Sequence, residues 1–218
     1  MPKHASLIIA ASLLLVSTIA SAEDLFNGRD LTGWRSYLVT HASAQDDVWS
    51  VRDGAIVCKG EPMGYLYTSK AYKNFRLKVE YRWAPGKEPG NSGLFLRLNG
   101  KPGFLPRAME CQLKSGNAGD LYAFEGMKIG GESPRVQTIQ HKELGTLLGV
   151  KAMSYNEKAP GEWNTVEVVV DGPLVKVTVN DKLVNEATDC EVVAGPIGLQ
   201  SEGGEIHFRK VEVTPLAD

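Results

Sequence analysis

The segment Phe75-Arg76-Leu77-Lys78-Val79-Glu80-Tyr81-Arg82-Trp83 alternates without a fault between apolar and charged side chains. A period of two sends alternate side chains to opposite faces of an extended chain, so the segment reads as a strand with one buried face and one wet face. A helix would scatter the same apolar groups around its circumference. A strand of this kind is stable only when a second layer covers its apolar face.

Comparable signals recur along the chain, and long helical periodicity is absent after the first twenty residues. Residues 49–52 and 55–59 flank Asp53-Gly54, a tight hairpin signal. Residues 163–170 turn at Asp171-Gly172-Pro173 into 174–179, and Asn180-Asp181 turns that segment into 182–187. Residues 93–98, 108–113, 197–200 and 205–213 complete the set. Short strands with regular turn signals and no repeating blade motif predict an all-β fold, a jelly-roll sandwich of two antiparallel sheets. The Gly-rich, aperiodic stretch 114–135 is expected to be a loop forming a rim or lid.

The N-terminus sets the expected compartment. Lys3 precedes an apolar run over residues 7–19 that ends at Ala20-Ser21-Ala22, a small-x-small cleavage pattern before Glu23. This predicts a signal peptide over residues 1–22, a mature single domain over 23–218, and a periplasmic or secreted location with no membrane association after cleavage. The 24 basic and 26 acidic side chains leave a net charge of −2, and they form no basic footprint for nucleic acid. Cys58, Cys111 and Cys190 have no C-x-x-C spacing, so neither a zinc knuckle nor a redox pair is expected. No disulfide is predicted, and Cys111 falls on the core face of its strand. His41, His141 and His207 lack ligand-like spacing, and no EF-hand loop is present. No cofactor is predicted, although an oxygen-rich face suits Ca²⁺ or a related divalent ion.

Assigning faces strand by strand isolates a polar set. Leu94, Leu96 and Leu98 share one face, leaving Phe95 and Arg97 on the other. Met109, Cys111 and Leu113 point inward and leave Glu110 and Gln112. Ile197 and Leu199 do the same and leave Gln200. If these strands and residues 75–83 are neighbours, one face displays Glu80, Arg82, Phe95, Arg97, Glu110, Gln112 and Gln200. Carboxylate, amide and guanidinium groups hydrogen-bond sugar hydroxyls directionally, and Phe95, Tyr122 or Trp83 could stack on a pyranose. The alternative is an ordinary solvated sheet face with cross-strand ion pairs.

Leu25-Phe26-Asn27-Gly28-Arg29-Asp30-Leu31-Thr32-Gly33-Trp34 resembles the opening of the 3-keto-disaccharide hydrolase family. Asn91-Ser92-Gly93-Leu94-Phe95-Leu96-Arg97, Glu110-Cys111-Gln112-Leu113, Gly161-Glu162-Trp163-Asn164 and Ile197-Gly198-Leu199-Gln200 follow in the family's order. The resemblance spans the mature chain. It implies a concanavalin A-like jelly roll, related in shape to laminarinase-type hydrolases, and cleavage of glycosides oxidised at C3. The matching polar-face residues are Arg97, Glu110, Gln112 and Gln200. Laminarinase-type enzymes carry two glutamates on the comparable strand, whereas this chain offers Glu110 and then Gln112. A lone carboxylate suits proton abstraction beside a ketone better than double displacement. Glu110 is the expected base, with His141 as its competitor and Arg97 steadying an enolate. Glu80, Arg82, Phe95, Gln112, Tyr122 and Gln200 are expected to bind a small saccharide or glycoside. A non-catalytic lectin-like module and a purely structural sandwich are the other function classes the fold permits.

Overall fold

The computed structural model describes residues 21–40, 43–141 and 145–217, with His141 described by its backbone alone. The expected signal peptide, except for Ser21 and Ala22, and His41 lie outside the described residues. In chain order the elements are β1 (Glu23–Asp24), β2 (Trp34–Leu38), a single helical turn α1 (Gln45–Val48), β3 (Trp49–Arg52), β4 (Ala55–Cys58), β5 (Gly64–Thr68), β6 (Phe75–Trp83), β7 (Gly93–Asn99) and β8 (Arg107–Gln112). They continue as β9 (Leu121–Ala123), β10 (Val136–His141), β11 (Gly145–Val150), β12 (Asn164–Asp171), β13 (Leu174–Val179), β14 (Lys182–Ala187), β15 (Gly198–Ser201) and β16 (Ile206–Pro215).

Among the described residues these strands form two eight-stranded sheets. The first runs β14-β13-β12-β6-β16-β4-β3 with β1 paired to β16, and the second runs β10-β11-β9-β8-β7-β15-β5-β2. Adjacent strands pair antiparallel. The alternation in β6 explains its place at the centre of the first sheet. Phe75, Leu77, Val79, Tyr81 and Trp83 are buried in the common core, while Arg76 is exposed and Lys78, Glu80 and Arg82 are half-buried. Leu94, Leu96, Met109, Cys111, Ile197 and Leu199 enter the same core, most of them from the second sheet. Each such side chain contributes about 1.5–3 kcal/mol through burial. Cys58, Cys111 and Cys190 are buried free thiols. Among the described residues, no helix is long and apolar enough to cross a membrane.

Three expectations are corrected here. Glu80 and Arg82 belong to the first sheet and face outward, away from the second sheet's outer face. The Glu80 carboxylate accepts from Arg209, and the Arg82 guanidinium lies over the Trp163 ring at 4.5 Å. Alternation gives a strand's faces but not the sheet it joins. The second correction concerns Arg97, which adopts φ 54°, and the β7–β8 register shifts between Leu96 and Asn99. A residue in the left-handed region breaks the period of two. Leu98 therefore turns to the outer face with Tyr65 and Phe95, and Arg97 is fully buried elsewhere. The third concerns residues 114–135, which are not one continuous loop. Leu121–Ala123 pair with β8 and β11, and Ala118, Met127 and Ile129 are buried.

Candidate active site

The outer face of the second sheet is built from the order β11-β9-β8-β7-β15. Phe95 on β7 lies opposite Glu110 on β8, and Glu110 lies opposite Tyr122 on β9. An aromatic chain underlies this row: Tyr37 stacks on Tyr65 at 5.3 Å, Tyr65 meets Phe95 edge-on at 5.5 Å, and Phe95 meets Phe124 at 6.3 Å. Phe95 is therefore fully buried floor and offers no ring to a ligand, contrary to expectation. Trp83 likewise sits in the common core.

A cavity of about 160 Å³ opens beside this floor. Asn91, Glu110, Gln112, Tyr122, Gln200 and Glu202 supply its polar lining, and Leu105, Phe124 and Leu147 its apolar lining. Glu110 Oε1, Gln200 Oε1 and Asn91 Oδ1 are buried without a hydrogen-bond donor from the protein. An unpaired buried acceptor costs about 1–3 kcal/mol, and a native chain keeps few of them without a functional reason. Three around one cavity favour a ligand rich in O–H donors. Gln112 is set differently. Its Oε1 accepts from the backbone N–H of Leu113 at 3.0 Å and of Lys114 at 2.9 Å, so its amide NH₂ is what it can offer. Ser92 Oγ donates to the Gln200 carbonyl at 2.8 Å, tying the Asn91 segment to β15.

Glu110 has space because Gly93 lies beneath it. A Cβ at position 93 would stand 2.0 Å from Glu110 Oε1. Burial pushes the Glu110 carboxyl well above the usual carboxylate range, and the charge of Glu202 raises it further. Tyr122 is anchored by Lys151 Nζ, which donates to its hydroxyl oxygen at 3.0 Å. Its phenol is raised above its ordinary value, chiefly by burial.

Of the residues singled out in the sequence, Glu110, Gln112, Tyr122 and Gln200 converge on this cavity. Arg97 does not. Its guanidinium donates to the carbonyls of Lys73 (2.8 Å), Glu191 (2.7 Å) and Gly172 (3.0 Å) and to Asn74 Oδ1 (3.1 Å). That makes it a clasp between loops rather than a ligand contact. His141 ends β10 opposite Gly145, and its side chain lies outside the described residues. Asn91 and Glu202 were not anticipated. Asn91 stands in the Asn91-Ser92-Gly93 motif, which was its available signal; Glu202 lies in a loop, where no periodicity marks a face. Among the described residues no cluster of three or more His, Cys, Asp and Glu side chains forms a metal site.

A family described as "3-keto-alpha-glucoside-1,2-lyase-like domain" matches residues 21–214. A Bacteroides thetaiotaomicron protein named 3-keto-disaccharide hydrolase is 24% identical over 244 aligned positions, covering 88% of this chain and 77% of the relative. A solved structure from Parabacteroides distasonis, described as a candidate glycosyl hydrolase, superposes with a TM-score of 0.64 at 20% identity, covering 90% of this chain and 94% of that one. The laminarinase from Rhodothermus marinus superposes with a TM-score of 0.60 at 10% identity, covering 92% and 98%. The fold is thus the concanavalin A-like jelly roll.

Proposed function

Because this chain belongs to the family of 3-keto-alpha-glucoside-1,2-lyase-like domains, we propose that it is an exported enzyme that cleaves glycosides whose sugar carries a ketone at C3. The observation that carries this reading is a single buried carboxylate, Glu110, which lines the cavity and whose Oε1 has no protein donor, as is also true of the Gln200 and Asn91 side-chain oxygens beside it. The acceptors suit sugar hydroxyls. The N-terminal pattern at residues 1–22 supports export.

A ketone at C3 acidifies the proton on C2. Glu110 takes that proton, and the C–H electron pair moves toward C3 to give an enolate. The enolate re-forms the ketone and pushes its electrons into a C1–C2 double bond. The C1–O bond breaks, and the aglycone leaves as an alcohol with the proton that Glu110 took. Water then adds across the double bond, its hydroxyl to C1 and its proton, through Glu110, to C2, so the overall change is hydrolysis. Such a route needs one well-placed base. Ordinary retaining hydrolysis needs a carboxyl pair about 5 Å apart, and β8 carries Gln112 where a second carboxyl of that strand would stand.

The direct test compares a 3-keto-glucoside with its unoxidised parent. Turnover of the first alone is expected, and equal turnover of the parent overturns the reading. Binding of saccharides without any product would instead mark a lectin-like module.

Two variants probe the placement and basicity of Glu110. Gly93→Ala puts a methyl group where the carboxylate sits. A misplacement of about 1 Å can cost about 10²-fold, and a kcat loss of that order is expected with the fold retained by circular dichroism. Wild-type turnover in Gly93→Ala would show that the carboxylate's position does not matter. Glu202→Gln removes the charge that helps hold Glu110 up. A base acts in its ionised form, so kcat/KM rises with pH through the Glu110 pKa, and that limb should move to lower pH in the variant. An unmoved limb would mean that another group controls it.

A further inference from the structure

With Arg97 removed from the cavity, the enolate formed at C3 needs another donor, and the neighbouring strands supply one. Tyr122 lies directly opposite Glu110 across the β8–β9 pair and opposite Gly149 across the β9–β11 pair. A Cβ on Gly149 would stand 3.0 Å from ring carbons Cδ1 and Cε1 of Tyr122, so the ring lies across that glycine. Lys151 follows two residues later on the same face, and its Nζ reaches the Tyr122 oxygen at 3.0 Å. The ammonium is held in turn by Asp120, whose side chain is wholly buried. Asp120 Oδ2 accepts from Lys151 Nζ at 2.6 Å, and Oδ1 accepts from the Ala152 N–H at 2.8 Å and the Tyr155 hydroxyl at 3.1 Å.

The Tyr122 hydroxyl also donates to Asp120 Oδ2, at a long 3.3 Å. Asp120 Oδ2 keeps its shorter bond from Lys151 if that proton turns away. Lys151 occupies a lone pair of the phenol oxygen and leaves its O–H free to turn toward the cavity that Tyr122 lines.

We propose that Tyr122 is the catalytic hydrogen-bond donor to the C3 oxygen as Glu110 takes the C2 proton, with Lys151 and Asp120 as positioning residues. The step rests on Glu110 serving as the base. Glu110 and Tyr122 are register partners on β8 and β9 and line the same cavity, so a sugar ring held there can present C2 to one and the C3 oxygen to the other. As the C2–H pair becomes the C2–C3 double bond, the carbonyl pair moves onto oxygen and the Tyr122 O–H stabilises it there. The proton stays on Tyr122, and the positive charge of Lys151 behind the phenol makes it a stronger donor. The raised phenol value keeps Tyr122 neutral and able to donate.

The test is steady-state kinetics of Tyr122→Phe, Lys151→Met and Glu110→Gln on a 3-keto-glucoside, each with a thermal midpoint. Loss of one oxyanion donor costs about 10²–10³ in kcat, and Tyr122→Phe should fall in that range with KM within about threefold. Lys151→Met should lower kcat by about tenfold, again with KM held, a split that a purely structural role would not produce. If Tyr122→Phe turns over within about threefold of wild type, or loses only KM, the assignment is overturned while the Glu110 base stands. If Tyr122→Phe fails to fold, Lys151→Met decides, because its side chain is 35% exposed; unchanged kcat there also overturns the assignment. Retained turnover in Glu110→Gln would instead remove the base itself.

Discussion

Replacing Glu110 by Gln is expected to lower turnover of a 3-keto-glucoside by about 10²–10⁴-fold, the usual contribution of a positioned general base, while leaving the protein at least as stable as before. The two effects have one origin. Glu110 is 2% exposed, and its Oε1 has no donor, so the ionised form that abstracts a proton is also the form the fold disfavours. Burial first, and the charge of Glu202 second, raise its folded pKa above that of the unfolded chain. The stabilising contribution of the neutral carboxyl is therefore complete below the unfolded value of about 4.3 and is lost as pH rises toward the folded one. Glu110→Gln carries no such charge. It should melt above wild type at neutral pH, and the gap should close in acid. Thermal melts at pH 4 and pH 7 check this. A variant that is less stable at neutral pH would mean the carboxylate makes contacts that hold the fold together.

Arg97→Met is expected to do the reverse, lowering stability strongly while sparing the chemistry. The Arg97 guanidinium is fully buried and serves the carbonyls of Lys73, Glu191 and Gly172. Removing it leaves those three acceptors without this donor at about 1–2 kcal/mol each, a loss of about 3–6 kcal/mol in all. For a domain of this size that lowers the melting temperature by about 10 °C. Rates normalised to folded protein should stay near wild type at low temperature. A stable Arg97→Met protein with abolished turnover would return Arg97 to the site. Its burial lowers the guanidinium pKa, yet with carbonyls for partners it stays a donor.

The sandwich was legible because apolar alternation over residues 75–83, 163–179 and 197–200 can be satisfied only by two covering layers. Glu110, Gln112 and Gln200 were legible for the same reason, since β8 and β15 keep an unbroken period of two where those residues stand. Arg97 was misplaced because nothing in Phe95-Leu96-Arg97-Leu98 announces a left-handed residue, and one such residue inverts every face that follows it. Glu80 was misplaced because a wet strand face looks the same on either sheet. Tyr122 was picked out as an aromatic in a supposed loop, and the three residues of β9 are too few to show alternation. Asn91 and Glu202 lie on loops, whose positions are set by contacts such as the Asn91 N–H donating to the Gly203 carbonyl at 2.9 Å rather than by any local pattern. The charge pattern of Asp120 and Lys151 acquires meaning only through the β9–β11 pairing that brings them together.

Whether Glu110 acts by removing the C2 proton is tested most directly by proton NMR of a 3-keto-glucoside cleaved in deuterated water, read at C2 of the released sugar before non-enzymatic exchange sets in. Deuterium at C2 in step with cleavage, absent when Glu110→Gln replaces the wild type, is the expected result. Cleavage that leaves the original proton on C2 would contradict it.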